Sequence, residues 1–193
     1  MSDASADANA KMAATFSDVM RQLSLESDRG SVVLAVAWID EQLKLILETY
    51  LLPSPAPSAK SDELLGANAP VATLSARIDL TYRLGLIRRY VAQSLHLCRR
   101  LRNDCAHLSE PVSLHDPAVR DKVLAILQLE AILVDALWED IRHLPEIRAL
   151  MGNRPAETSQ TALLSTLGIR HVLHFTLAMV VASLVYIGTQ VTQ

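Results

Sequence analysis

Apolar residues recur at three- and four-residue steps along most of the chain, which is the pattern of amphipathic helices. The clearest run follows several N-cap candidates in residues 26–31 and ends at a proline-rich loop, residues 53–58, where a helix cannot continue. Its stripe consists of Val32, Val36, Ile39, Leu43, Ile46 and Tyr50. No internal repeat and no strand-like alternation of convincing length is present. The pattern predicts an all-α fold, a single-domain helical bundle of about five to six helices.

The other helices follow from the same periodicity. They are predicted from about Met12 and over residues 74–82, 91–108, 117–144 and 161–188. Gly85 is expected to separate the third from the fourth helix. Asp116 followed by Pro117 is typical of a helix cap with proline at the first helical position.

A length of 193 residues suits one domain with its own core. Residues 1–11 are rich in Ala, Ser and Asp without periodicity and are predicted to be a disordered tail. Residues 12–150 form the predicted helical bundle domain, and residues 151–160 a polar linker. Residues 161–193 are predicted to form an apolar C-terminal helix that packs on the bundle.

Charge and cysteine content narrow the possible roles. A net charge of -3 gives no overall attraction to a phosphate backbone, so nucleic-acid binding would need a local basic patch. Cys98 and Cys105 are seven residues apart on one predicted helix, about 10 Å along its axis. They are too distant to form a disulfide. Two reduced thiols and no signal-like N-terminal pattern indicate a cytoplasmic protein.

Four sequence blocks, in this order and spacing, resemble the signature of the mannitol-operon repressor family. They are residues 26–30 (ESDRG), 68–78 (NAP, then TLSARI), 82–87 (YRLGLI) and 102–107 (RNDCAH). The resemblance covers roughly residues 20–145. It implies an all-helical, HEPN-like bundle with a role in transcriptional control that acts through partners and has no DNA-reading helix. Two departures are Leu74, where an aromatic residue is more usual, and the strongly apolar last helix.

The block Arg102-Asn103-x-x-x-His107 also resembles the catalytic motif of HEPN ribonucleases. In such enzymes a histidine exchanges a proton, an arginine stabilises phosphorane charge and an amide holds the geometry, without a metal. Arg102, Asn103 and His107 are therefore candidate catalytic residues. A structural role competes with this interpretation: the block would end its helix and clamp the turn at residues 26–30, with Asp28 or Glu26 paired to Arg102.

The arginines Arg88, Arg89, Arg99 and Arg100 form a candidate binding face for RNA or an acidic partner, although a solvated helix face would look the same. Arg100 and Asp104 have the spacing of an ion pair within a helix.

Four further charged residues of the family blocks are predicted to be structural: Glu26, Asp28, Arg29 and Arg77. Arg29 and Arg77 are expected to form buried ion pairs. His171 and His174 are three residues apart but lack a third ligand, so no metal is expected, and no cofactor.

Residues 172–188 contain no Asp, Glu, Lys or Arg, a length near the lower limit for crossing a bilayer. Burial in the centre of the bundle or in a dimer interface would explain the same composition.

The sequence therefore favours a non-enzymatic transcriptional regulator that works as a homodimer through a protein partner, such as a transcription regulator, or through RNA. Direct reading of DNA sequence is not expected. A metal-independent endoribonuclease is the alternative, and a membrane protein anchored by residues 172–188 is a third possibility.

Overall fold

The computed structural model describes residues 3–55, 62–107, 112–151 and 158–191, and within these ranges it contains eight helices and no strand. They are α1 (Asp3–Leu25), α2 (Asp28–Tyr50), α3 (Leu74–Arg83), α4 (Arg89–His107), α5 (Pro117–Leu129), α6 (Ala131–Ile141), α7 (Pro145–Met151) and α8 (Ser159–Gln190). The all-α fold class is confirmed, with more helices than the five or six expected.

Helix α8 lies at the centre of the bundle. It packs against α1, α2 and α6, and also contacts α5 and α7. Helix α4 packs against α2, α3 and α5. One continuous aliphatic cluster joins these helices, including Leu43, Leu95, Ile126 and Leu173.

By length and composition alone α8 is apolar enough to cross a membrane, but 61% of its most apolar window is buried inside the bundle. Central packing thus accounts for the uncharged run at residues 172–188.

Helix α1 begins at Asp3, so residues 3–11 are helical rather than the predicted disordered tail. Ala8 is buried, and α1 lies along α8, where the rings of Phe16 and Phe175 meet edge to face with centroids 5.4 Å apart. Alanine has the highest helix propensity, and α8 supplies an apolar surface against which the segment packs.

The predicted helix over residues 117–144 is divided in two. Its backbone leaves helical geometry at Glu130, with φ −94° and ψ 28°, and α6 starts at the next residue. The additional short helix α7 follows α6. Its last residue, Met151, coincides with the start of the predicted linker, of which residues 152–157 lie outside the described ranges.

Two glycines with positive φ shape the helix ends. Gly85 follows α3 at φ 76°, and the backbone N–H of Leu86 donates to the carbonyl of Thr81 at 3.1 Å, which closes the helix in a Schellman-type turn. The expected separation of α3 from α4 at Gly85 is confirmed.

Gly168 lies within α8 at φ 79° and ψ 159°, so the predicted uninterrupted helix is wrong at this point. This backbone conformation is essentially restricted to glycine.

Gly168→Ala is expected to destabilise the protein by about 2 kcal/mol, because an alanine must adopt this backbone conformation or straighten the break. Gly188→Ala is the matched control on the same helix. There an added Cβ would lie 3.6 Å from Ile46 Cγ1, an ordinary contact, and alanine favours a helix, so no loss is expected. Urea unfolding of the two variants and the wild type measures both effects, and equal stability of the two variants would contradict this account of Gly168.

Candidate functional site

The first turn of α2 is a polar junction in an otherwise aliphatic bundle. Asp28 Oδ1 accepts a hydrogen bond from Arg170 Nη1 at 2.5 Å, and Asp28 Oδ2 accepts one from the backbone N–H of Leu114 at 3.0 Å. Arg170 Nη2 also donates to the carbonyl of Glu26. We call these four residues, Glu26, Asp28, Leu114 and Arg170, the Asp28 junction. It joins the α1–α2 turn, the segment before α5, and α8.

The structure corrects the predicted partner of Asp28. The cation is Arg170, which lies 142 residues away in sequence, and not Arg102. Arg170 is the last charged residue before the uncharged run of α8. This position was the sequence signal that its side chain lies against an apolar part of the bundle. A cation at the edge of an apolar helix is expected to need an acidic partner when it is partly buried.

Arg77 forms the buried ion pair expected from the sequence. The residue is buried, and its Nη1 donates to Asp40 Oδ1 at 2.6 Å while its Nε donates to the carbonyl of Val71 at 3.2 Å. The pair connects α3 with α2. Arg29 is half-buried near the thiol of Cys105, and the ion pair expected for it remains a prediction.

One face of α4 is exposed and polar. Its residues fall within an arc of about 80° around the helix axis, and none of them is buried. We call this face the α4 strip, and it consists of Arg89, Gln93, His96, Arg100, Asn103 and His107. The opposite face, with Leu95, Cys98, Leu101 and Cys105, lies in the core.

The structure brings only part of the predicted catalytic trio onto the strip. Asn103 and His107 lie there, and His107 is exposed at the end of α4. The side chain of Arg102 leaves α4 in a direction about 140° around the helix axis from that of His107. It lies at the border of the core. It is half-buried, and within the described residues the Nε atoms of Arg102 and Arg99 are buried without a hydrogen-bond partner. Within one chain, therefore, Arg102 and His107 face different directions.

The ion pairs around α4 involve a histidine and an aspartate of the helix, and none of them includes one of its arginines within the described ranges. His96 Nε2 lies 3.1 Å from Asp79 Oδ1, and Asp104 Oδ2 lies 3.0 Å from Lys122 Nζ instead of pairing with Arg100. Arg88, Arg89 and Arg100 are exposed and form no ion pair with any residue that the structure describes. Their positive charge is available to a partner.

The two cysteines are free, buried thiols. Burial raises the pKa of Cys98 to about 12, and the negative charge of Glu130 adds to this effect. Burial likewise raises the pKa of Cys105. Both groups are therefore protonated at neutral pH and unsuited to nucleophilic chemistry. In the described part of the chain no three His, Cys, Asp or Glu side chains are grouped as metal ligands.

No protein-family model matches the sequence, and no curated protein matches it. Among solved structures, the chain is similar to the X-ray structure of the MtlR–HPr complex from Escherichia coli, with a TM-score of 0.55. This chain has the MtlR fold. The likeness covers 91% of this chain and 99% of the MtlR structure, at 19% sequence identity. It therefore extends over nearly the whole bundle that carries the Asp28 junction and the α4 strip.

His174, one turn beyond Arg170 on α8, is a buried histidine whose Nε2 has no hydrogen-bond partner within the described residues. Burial lowers its pKa from 6.5 to about 4, and the positive charges of Arg170 and His171 lower it further, against the opposing effect of Asp28. The folded protein thus holds this imidazole neutral, whereas the unfolded chain protonates it near its ordinary pKa.

The free energy of unfolding is expected to fall by up to about 3 kcal/mol as the pH drops from about 6.5 to about 4. In this range His174 binds a proton in the unfolded state but not in the folded state. Urea unfolding across this range measures the change. In His174→Leu the acid-dependent loss should be smaller than in the wild type by this amount. His143→Leu, at an exposed position outside α8, should keep the wild-type pH dependence. Identical pH profiles for wild type and His174→Leu would show that His174 is not the responsible group.

Proposed function

We propose that this protein is a regulator that acts by binding a protein partner through the α4 strip. The single observation that carries this proposal is the exposed, unpaired positive charge of α4, on a bundle whose fold is that of MtlR in a complex with HPr. A protein of the HPr kind is the partner that the likeness suggests first. Control of transcription through such a partner fits the family resemblance of the sequence blocks.

The charge of the strip suggests the chemistry of the partner. Arg89 and Arg100 are positive on a chain whose net charge is -3, so the strip is a local basic surface on a mildly acidic protein. Charged groups at the rim of an interface speed association and select partners of opposite charge. The expected partner therefore presents carboxylates or another anionic group to α4.

The cellular setting and assembly of the regulator belong to the same proposal. A cytoplasmic protein is proposed, because α8 has a packing role inside the bundle and no need of a bilayer. Homodimers are the commonest symmetric assemblies of soluble proteins, and a homodimer would present two copies of the strip.

A metal-independent ribonuclease that uses Arg102, Asn103 and His107 is the weaker alternative. Its chemistry requires the guanidinium and the imidazole to reach one phosphate. Because Arg102 and His107 leave α4 in directions about 140° apart, that convergence would need a second chain. Binding of a partner needs no second chain to bring its groups together, since the strip residues already share one face.

Charge reversal on the strip should weaken partner binding. We expect Arg100→Glu to lower the affinity for Escherichia coli HPr about tenfold, because it replaces attraction by repulsion, and we expect wild-type binding to weaken with added salt. Isothermal titration calorimetry measures both effects. Arg148→Glu, the same change at an exposed position of α7, is the matched control and should bind as the wild type does.

Equal weakening by both variants would remove the α4 strip from the interface. Absence of any heat of binding between the wild type and HPr would contradict the HPr-like partner. RNA that bound the wild type in place of HPr, and lost affinity in Arg100→Glu, would reassign the same strip to nucleic acid.

A further inference from the structure

A cavity of about 320 Å³ lies between the start of α4, the α5–α6 junction, α6 and the C-terminal half of α8. Its walls are mainly aliphatic and include Leu86, Val91, Leu133, Leu184 and Ile187. This volume is at the lower end of the range for sites that enclose small organic molecules. The walls favour a ligand with an apolar body.

One acidic side chain interrupts these apolar walls. Glu130 lines the cavity and is only 3% exposed, and its Oε1 is buried without a hydrogen-bond partner in the described part of the chain. Burial raises the pKa of this carboxyl group, while the neighbouring hydroxyl of Ser94 acts in the opposite direction. Buried polar atoms in proteins are nearly always satisfied, so an unpartnered carboxyl oxygen at a cavity wall indicates a missing donor.

The sequence carried a signal for Glu130. The stripe of its predicted helix places apolar residues at Ile126 and Leu133, with buried Val134 one turn beyond Glu130 on the same side. Position 130 thus falls on the core side, where an aliphatic residue is expected. Burying a carboxylate there costs free energy, which indicates that it serves another purpose.

We propose that this cavity binds a small amphipathic primary amine, whose ammonium group donates to the Glu130 carboxylate while its alkyl body lies against the aliphatic walls. A charge-assisted hydrogen bond supplies the donor that Oε1 lacks and neutralises the carboxylate. An anionic ligand would meet repulsion from Glu130, and a neutral alcohol would leave its charge uncompensated. Arg88 also lines the cavity but is exposed and forms no ion pair with Glu130.

This site is separate from the proposed partner interface. Val91, which lines the cavity, points about 160° away from the direction of Arg89 and Arg100 on α4. Amine binding therefore does not depend on the proposed function, and failure of either one leaves the other standing.

The test compares three ligands of nearly equal size on the full-length protein: hexylamine, hexanol and hexanoate. NMR titration at mildly alkaline pH, which favours the ionised carboxyl and leaves the amine protonated, gives the affinity of each ligand and the residues that respond. We expect hexylamine to bind about tenfold or more tightly than hexanol and hexanoate to bind most weakly, with shifts at Val91, Leu133 and Leu184.

Two variants and one control identify the group responsible. Glu130→Gln keeps the side-chain size but removes the charge and should abolish the preference for the amine, while Ser183→Leu should reduce binding of all three ligands by filling the cavity. Glu139→Gln, on the exposed side of α6, should bind as the wild type does. Absence of binding, equal binding of hexylamine and hexanol, or an amine preference that survives in Glu130→Gln would each overturn the proposal.

Discussion

The contact between Asp28 and Arg170 is the constraint on which the bundle depends. One carboxylate at the start of α2 accepts hydrogen bonds from the guanidinium of α8 and from the backbone before α5. The same guanidinium donates to the Glu26 carbonyl in the α1–α2 turn. The side chain of Asp28 is 20% exposed and that of Arg170 35%, so both are partly buried. Loss of either partner would leave a partly buried charge uncompensated.

The junction anchors the helix against which the core face of α4 packs. Helix α2 begins at the junction and packs along α4, whose own apolar stripe sets the face that enters the core. Arg29, next to Asp28, lies close enough to Cys105 for its charge to act on that thiol. The face opposite the core is left to solvent with two exposed arginines, Arg89 and Arg100. The functional proposal uses this face of α4, which lies opposite its buried stripe.

The hydrophobic periodicity predicted the features that depend on neighbouring residues and missed the contacts between residues that are distant in sequence. The stripes of α2 and α4 and the turn at Gly85 could be read from spacing, because each depends on neighbouring residues. The buried ion pair of Arg77 was expected from the family blocks, but its partner, an aspartate of α2 that lies 37 residues away, was not named. The breaks at Glu130 and Gly168 were missed because the apolar pattern continues through both. The partner of Asp28 was assigned wrongly because sequence spacing carries no information on which distant cation reaches it.

A double-mutant cycle on Asp28→Asn and Arg170→Met tests the central role of this contact most directly. Urea unfolding of the wild type, both single variants and the double variant gives the coupling free energy between the two side chains. We predict about 2 kcal/mol, against less than about 0.5 kcal/mol for the exposed pair Lys44–Glu48 on α2. Additive effects of the Asp28 and Arg170 substitutions would contradict the account.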